Sequence, residues 1–358
     1  MAESASVMEE LAAFEERMRA FSRVVNTKAP IAQTPKTQVW ALNKAKLFRY
    51  NSPHPAPDGH YRHRVPLLLV FAIMNRPYIL DLRPGNSFVE FMVGRGYDVY
   101  LLDWGCPGYE DRNMKFDDYA MEYLPRAIRK VRQVSGCDEF SMLGWCIGAI
   151  LTTMYAALRP DTGLKNLILL TAPLDFTDKK AGGFVRWVND PSFDPDKIVA
   201  ALGNVPGEMI DYGAKALRPV ENYIGSYLTL WDHRDDPGLV EAWHAMNTWV
   251  TDLIPMAGAT YHQLIQDLYR ENRLIEGKMV LRGEWVDLSR IRANLLNVIA
   301  LADHISPPCQ SESIMTKVSS QDQLLLKVKG GHIGMMAGSG AQKYTWPHIN
   351  EWLAARSE

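Results

Sequence analysis

The sequence predicts an α/β fold: a mostly parallel sheet with helices on both faces, split by an inserted cap. Two observations carry this. Short apolar runs alternate with amphipathic stretches from Pro66 to Pro173, and again from Asn294 onwards. Between them, from Leu174 to Asp287, the rhythm is lost and the chain turns aromatic, with Trp187, Trp231, Trp243, Trp249 and Trp285 in that stretch. The organisation expected is an amphipathic helix at 1–25, a core formed by 26–173 with 288–358, and a cap at 174–287.

Each element follows from its pattern. Val7, Met8, Leu11, Phe14, Met18 and Phe21 recur at helical steps, with Glu9, Glu10, Glu15, Glu16 and Arg17 on the other face. Such a helix packs on its own domain or offers its apolar face to a partner. NSPHPAPDG at Asn51–Gly59 is loop chemistry. Pro66–Ile73 is apolar throughout, as in a strand buried on both faces. Ser87–Gly94 reads as a helix and Asp98–Trp104 as a strand. Phe116–Val134 reads as a helix kinked at Pro125. Phe140–Trp145 is a strand, Ile147–Leu158 a helix with one apolar face, and Leu164–Ala172 a strand. After the cap come strand Asn294–Ala302, a helix near Gln310–Val318, strand Gln323–Lys329 and helix Ala341–Ala355.

Composition bounds the function. The chain of 358 residues is 47% hydrophobic and 22% charged, with a net charge of −2. Binding to nucleic acid through phosphate contacts is not expected at that balance, and disorder is excluded by the apolar content. Cys106, Cys137, Cys146 and Cys309 include no CxxC pair, so no structural zinc is expected. His54, His60 and His63 share one loop and read as solvated rather than metal-binding. The opening residues are acidic and lack the apolar block of a secretory signal. No apolar run approaches the ~20 residues of a membrane span. Free thiols in a reducing cytoplasm are the expectation.

The chemistry concentrates at Gly144-Trp145-Cys146-Ile147-Gly148, which lies between a strand end and a helix start. That is the setting of a nucleophile elbow, with cysteine in the place of serine, and it specifies an α/β-hydrolase fold. The glycines permit a sharp turn, and a helix N-terminus favours a thiolate. The backbone N–H of Ile147 is placed for an oxyanion. The partners expected later in the chain are an acid and then a histidine. Asp303 follows one predicted strand, in LADHISPP, and His332 follows another, in GGHIG. His304 competes with His332 as base. Its adjacency to Asp303 points its side chain elsewhere, so a supporting role around the site is expected. Met335 and Met336 read as core or pocket lining. The loop Phe71–Pro77 is the candidate source of a second oxyanion donor, at the backbone of Ala72 or Ile73. A serine would favour hydrolysis, whereas a cysteine exchanges acyl groups with other thioesters at nearly level free energy. Acyl transfer from an acyl-coenzyme A is therefore indicated, although a cysteine hydrolase satisfies the same residues.

GWCIGA, DVYLLDWG, LADHISPP, GGHIG, VFAIMNRPYILDL and LGNVPGEMIDY resemble the corresponding segments of polyhydroxyalkanoate synthases. The resemblance runs from about Val39 to the C-terminus and is closest to the short class III and IV catalytic subunits. One position departs: the family's G-x-C-x-G-G box ends here in Ala149. The resemblance implies that Cys146 carries the growing 3-hydroxyacyl chain and that His332 takes the thiol proton. It gives Asp303 one of two roles, activating the 3-hydroxyl of the incoming monomer or orienting His332. It further implies 3-hydroxyacyl-CoA as substrate (3-hydroxybutyryl-CoA being the expected donor), CoA as product, and no other cofactor or metal. It also implies a homodimer, a small second subunit and residence at the surface of cytoplasmic polymer granules. A cysteine thioesterase, an intracellular depolymerase on the same scaffold and a silent granule-coat protein are the competing readings.

Overall fold

The computed structural model describes residues 2–51, 62–179 and 181–358. The expected loop at Asn51–Gly59, with His54 and His60, lies almost wholly outside them. The core is one eight-stranded sheet. In chain order its strands are β1 (Lys36–Leu42), β2 (Ala45–Tyr50), β3 (Leu67–Val70), β4 (Val99–Asp103), β5 (Phe140–Trp145), β6 (Leu164–Leu170), β7 (Asn294–Ala300) and β8 (Gln323–Val328). In space they run β1-β2-β4-β3-β5-β6-β7-β8. β1 and β2 pair antiparallel, as do β2 and β4, and the pairs from β4 to β8 are parallel. The apolar runs become strands because the parallel sheet is covered on both faces: every residue of β3 and β5 is buried.

The main helices appear where the periodicity puts them. α1 spans Ala2–Asn26, α2 Phe88–Gly94, α3 Leu124–Ser135 and α4 Ile147–Leu158. Ser87 caps α2, its side chain accepting the Glu90 N–H. The helix expected at Phe116–Val134 is interrupted by a π-helical turn at Tyr119–Tyr123, directly before α3. Pro125 sits within the first turn of α3, where its missing N–H leaves no bond unmade. The wide turn therefore takes the place of a kink.

Two features differ from the sequence reading. β1 and β2 form an edge hairpin that apolar patterning does not announce; Asn43 turns the chain between them at φ 50°. His63 is not solvated. Its ring is buried and stacks on Tyr97 with centroids 4.0 Å apart.

α1 forms as expected, but packing on its own domain does not account for its apolar face. Met8, Leu11, Phe14, Met18 and Phe21 are all exposed. Between β6 and β7 the chain leaves the sheet and builds helices α5 (Gly183–Val188), α6 (Pro195–Leu202), α7 (Gly207–Ala216), α8 (Ser226–Asp232), α9 (Pro237–Thr251) and α10 (Gly258–Gln263). The C-terminal end of α1 rests on this region: His244 Nε2 donates to the Val24 carbonyl at 2.5 Å, and Arg23 pairs with Asp235 at 2.9 Å. After β7 come α11 (Pro308–Glu312), α12 (Gly334–Ala337) and α13 (Trp346–Ala354).

α4 is entirely buried and crosses the end of β3 at van der Waals distance. A Cβ on Gly148 would run into the carbonyl oxygen of Val70, and one on Gly144 would run into Thr152 Oγ1. Both contacts are with groups that cannot retreat in a packed interior. Gly148→Ala is expected to destabilise the fold by about 1–3 kcal/mol. A fall in the urea midpoint at unchanged m-value is the measurement that checks it.

Candidate active site

β5 passes into α4 through Cys146 alone. Its φ of 56° and ψ of −122° are rare for a residue with a side chain. Holding them costs about 1–3 kcal/mol, which the surroundings must supply. They do so at both ends of the residue. The Cys146 N–H donates to the Leu170 carbonyl of β6 at 3.1 Å, and its carbonyl accepts the Ala149 N–H at 2.9 Å. The bend lifts the sulfur out of the sheet, and Cys146 is partly accessible. Ile147 is the first helical residue, so the helix provides its N–H with no partner.

Asp303 and His332 arrive on the loops after β7 and β8. Those loops are laced together: Leu301 N–H donates to the Val328 carbonyl and Ala302 N–H to the Gly330 carbonyl, both at 2.9 Å. Gly330, at φ 114°, supplies a conformation that side chains resist. His332 Nδ1 bonds Asp303 Oδ2 at 2.7 Å, with both side chains buried. The other oxygen, Asp303 Oδ1, accepts the N–H groups of Ile305 at 2.8 Å and Ser306 at 2.9 Å. The carboxylate is thus held from both sides. With Nδ1 taken, the other ring nitrogen is the one left for Cys146, whose sulfur is near enough to favour the charged imidazole. Burial opposes a charge on His332, but the Cys146 sulfur and the Asp303 carboxylate outweigh it and push its pKa up to about 10.

The other expected residues are placed as follows. His304 is half-buried beside the site. Burial holds its pKa below the ordinary value, and Arg218 and His332 add to the effect. Ile73 lines a pocket with Lys44, Trp104 and Tyr119, and its neighbour Met74 lies on the Cys146 cavity wall. This loop is fastened towards the helices after β6. Arg76 Nε bonds Asp252 at 3.0 Å, and Trp249 Nε1 donates to the Arg76 carbonyl at 2.8 Å. Met335 and Met336 are core. Cys137 is buried, while Cys106 and Cys309 are exposed.

A cavity of about 80 Å³ opens at Cys146. Ile147, Met74, Pro173 and Ser306 form its floor side, and Phe184, Trp187, Met209, Ile210 and Leu217 of the helices after β6 close over it. Trp187 is the one tryptophan on that wall, and Trp249 is core. Tyr269 also lines it. Burial pushes the Tyr269 hydroxyl pKa up, with the charges at Cys146 and Asp303 adding to the shift. Tyr269 and Ser306 escape a reading by motif: the first sits in a π-helical turn, Leu264–Arg270, and the second is one serine among many. Ser306's only signal is its place three residues after Asp303.

Because its pKa is raised in the fold, His332 contributes stability that is complete below its unfolded value of about 6.5. That contribution is lost as pH rises through about 10. Ring ¹⁵N NMR is expected to show His332 still protonated at pH 8. Cys146→Ala removes the sulfur that favours the charged imidazole, so the His332 pKa should fall in that variant. Titration of the wild-type ring near its ordinary value would contradict the arrangement.

A family model described as alpha/beta hydrolase fold matches residues 84–339. Among solved structures, a monoacylglycerol lipase from Paleococcus ferrophilus is 18% identical with a TM-score of 0.54, covering 83% of this chain and 97% of its own. A putative lipase from Sulfolobus solfataricus is 13% identical with a TM-score of 0.57, covering 89% and 97%. At those identities they bear on the fold alone. Curated relatives go further. The poly(3-hydroxyalkanoate) polymerase subunit PhaC of Allochromatium vinosum is 37% identical over 90% of this chain and 89% of its own length. That of Haloferax mediterranei is 35% identical over 99% of this chain and 70% of its own. The chain belongs to the poly(3-hydroxyalkanoate) polymerase PhaC family, built on the alpha/beta hydrolase fold.

Proposed function

We propose that this chain is an acyltransferase that polymerises 3-hydroxyacyl groups from 3-hydroxyacyl-CoA, through a covalent thioester on Cys146. The observation that carries the reading is the buried Cys146–His332–Asp303 relay opening into an apolar cavity. The Cys146 sulfur attacks the thioester carbonyl, and the oxyanion faces the Ile147 N–H. The carbonyl–sulfur bond to CoA then breaks, and the CoA sulfur leaves with the proton carried by His332. In the next transfer the 3-hydroxyl of a second monomer gives its proton to His332 as its oxygen attacks the acyl-Cys146 carbonyl. An ester forms and Cys146 departs as thiolate. The lengthened chain, still a CoA thioester, acylates Cys146 again. CoA closes the balance of every turnover, and no further cofactor belongs to the proposal.

Asp303 orients His332 in this scheme. Its Oδ2 is bonded to His332 and its Oδ1 accepts two backbone N–H groups, which holds the carboxylate against the imidazole. The imidazole is the base in both transfers, and the carboxylate fixes its tautomer. The apolar walls favour transfer over hydrolysis by excluding water.

Residues 174–287 act as a cap that governs entry. Phe184 and Trp187 on α5 and Met209 on α7 lie over the sulfur, so acyl-CoA reaches it when those helices move. The exposed apolar face of α1 supports association with a second copy, with a small second subunit or with the surface of a polymer granule in the cytoplasm. Among the described residues no helix is long and apolar enough to cross a membrane.

Incubation with 3-hydroxybutyryl-CoA tests the reading. CoA release with polymer supports it, and CoA release with free acid alone would replace it with a hydrolase. Cys146→Ala should lower CoA release by at least ~10³-fold without unfolding the protein. Asp303→Asn should slow the first CoA burst and the later elongation by the same factor, about 10²–10⁴. A normal burst with failed elongation would instead assign the hydroxyl step to Asp303.

A further inference from the structure

We infer that Ser306 is a specificity-determining residue, whose hydroxyl binds the oxygen on C3 of the acyl group held at Cys146. The inference rests on the polymerase reading above. Ser306 lies on the wall of the Cys146 cavity and is 2% exposed. Its Oγ has no hydrogen-bond partner, and among the described wall residues it is the one with a buried polar atom left so. A buried hydroxyl without a partner is destabilising, and such groups in folded proteins call for an explanation.

The backbone of Ser306 is not free to wander. Its N–H donates to Asp303 Oδ1 at 2.9 Å, and Asp303 Oδ2 bonds His332 at 2.7 Å. Ser306, Asp303 and His332 are therefore joined by hydrogen bonds, beside a cavity that Ser306 and Cys146 both line. The wall residues Met74, Ile147, Met256 and Leu264 are apolar, and Tyr261 and Tyr269 are its other hydroxyl-bearing side chains among the described residues. A 3-hydroxyacyl group carries two oxygens. The carbonyl oxygen belongs to the helix N-terminus at Ile147, and the oxygen two carbons away needs a second partner inside the same cavity. Ser306 supplies it, donating to an ester oxygen or accepting from a free hydroxyl. A site built to bond a substrate hydroxyl discriminates against the analogue lacking it.

The test compares kcat/KM for CoA release from 3-hydroxybutyryl-CoA and from butyryl-CoA, in wild type and in Ser306→Ala. The expected result is a loss of about tenfold for the hydroxylated donor and less than about twofold for butyryl-CoA. The melting temperature should hold or rise, because the unmet hydroxyl is gone. Ser306→Gly should shift the donor ratio in the same direction. Equal losses for both donors, or an unchanged ratio, would overturn the assignment. So would a shift of the ratio in Tyr269→Phe with none in Ser306→Ala. If wild type releases no CoA from 3-hydroxybutyryl-CoA, the polymerase reading itself falls. Active wild type with an unchanged ratio removes Ser306 alone.

Discussion

One residue in a conformation that side chains avoid sets the rest of the structure. Cys146 at φ 56° is the whole connection between β5 and α4. The bend persists because its N–H and carbonyl are both bonded, and because Gly144 and Gly148 let helix and strands close to contact. Relax it and the sulfur sinks towards the sheet, while the first helical N–H turns away from any acyl carbonyl. The fully buried α4 and the burial of every residue in β5 are what offset that local strain. The eight-stranded sheet is in this sense the support of a single dihedral angle.

The second constraint is electrostatic. A buried imidazole prefers to be neutral, yet the Cys146 sulfur and the Asp303 carboxylate beside His332 push its pKa above the ordinary value. Two backbone N–H groups on Asp303 Oδ1 keep that carboxylate from turning towards the cavity. The geometry fixes what residue types alone leave open: the carboxylate is set against the imidazole, and the sulfur lines the cavity.

Legibility in the sequence follows this division. Leu67–Val70 and Leu167–Leu170 are readable because a strand buried on both faces has to be apolar at every position. The elbow is readable because its glycines are steric requirements, Asp303 because it follows such a strand, and His332 because it follows the apolar run of edge strand β8. β1 and β2 are not, since an edge hairpin needs neither a continuous apolar run nor strict alternation. His63 is hidden for a different reason: only the fold brings Tyr97 under its ring. The placement of the Ile73–Met74 loop is hidden as well, since Trp249 and Asp252 fasten it through Arg76 and nothing local records a contact 170 or so residues distant. The walls of the cavity are illegible in the same way, assembled from Met74, Trp187, Tyr269 and Ser306 on four separate segments.

The helices between β6 and β7 then pose one physical problem with two sides. Towards the sheet they contribute Phe184, Trp187, Met209 and Leu217 to the wall of the Cys146 cavity, an apolar lining. Away from it they expose Tyr212, Val220, Ile224, Tyr227 and Leu228, close to the α1 contact at His244 and Asp235. A chain that only hydrolysed small esters would gain nothing from leaving so much apolar surface in water. An enzyme whose product is a long, water-insoluble polyester works beside such a phase, and there the exposed face ceases to be costly. The stretch of chain that lines the cavity at Cys146 is thus apolar on its outer side as well, and any surface that covers it meets the same set of helices.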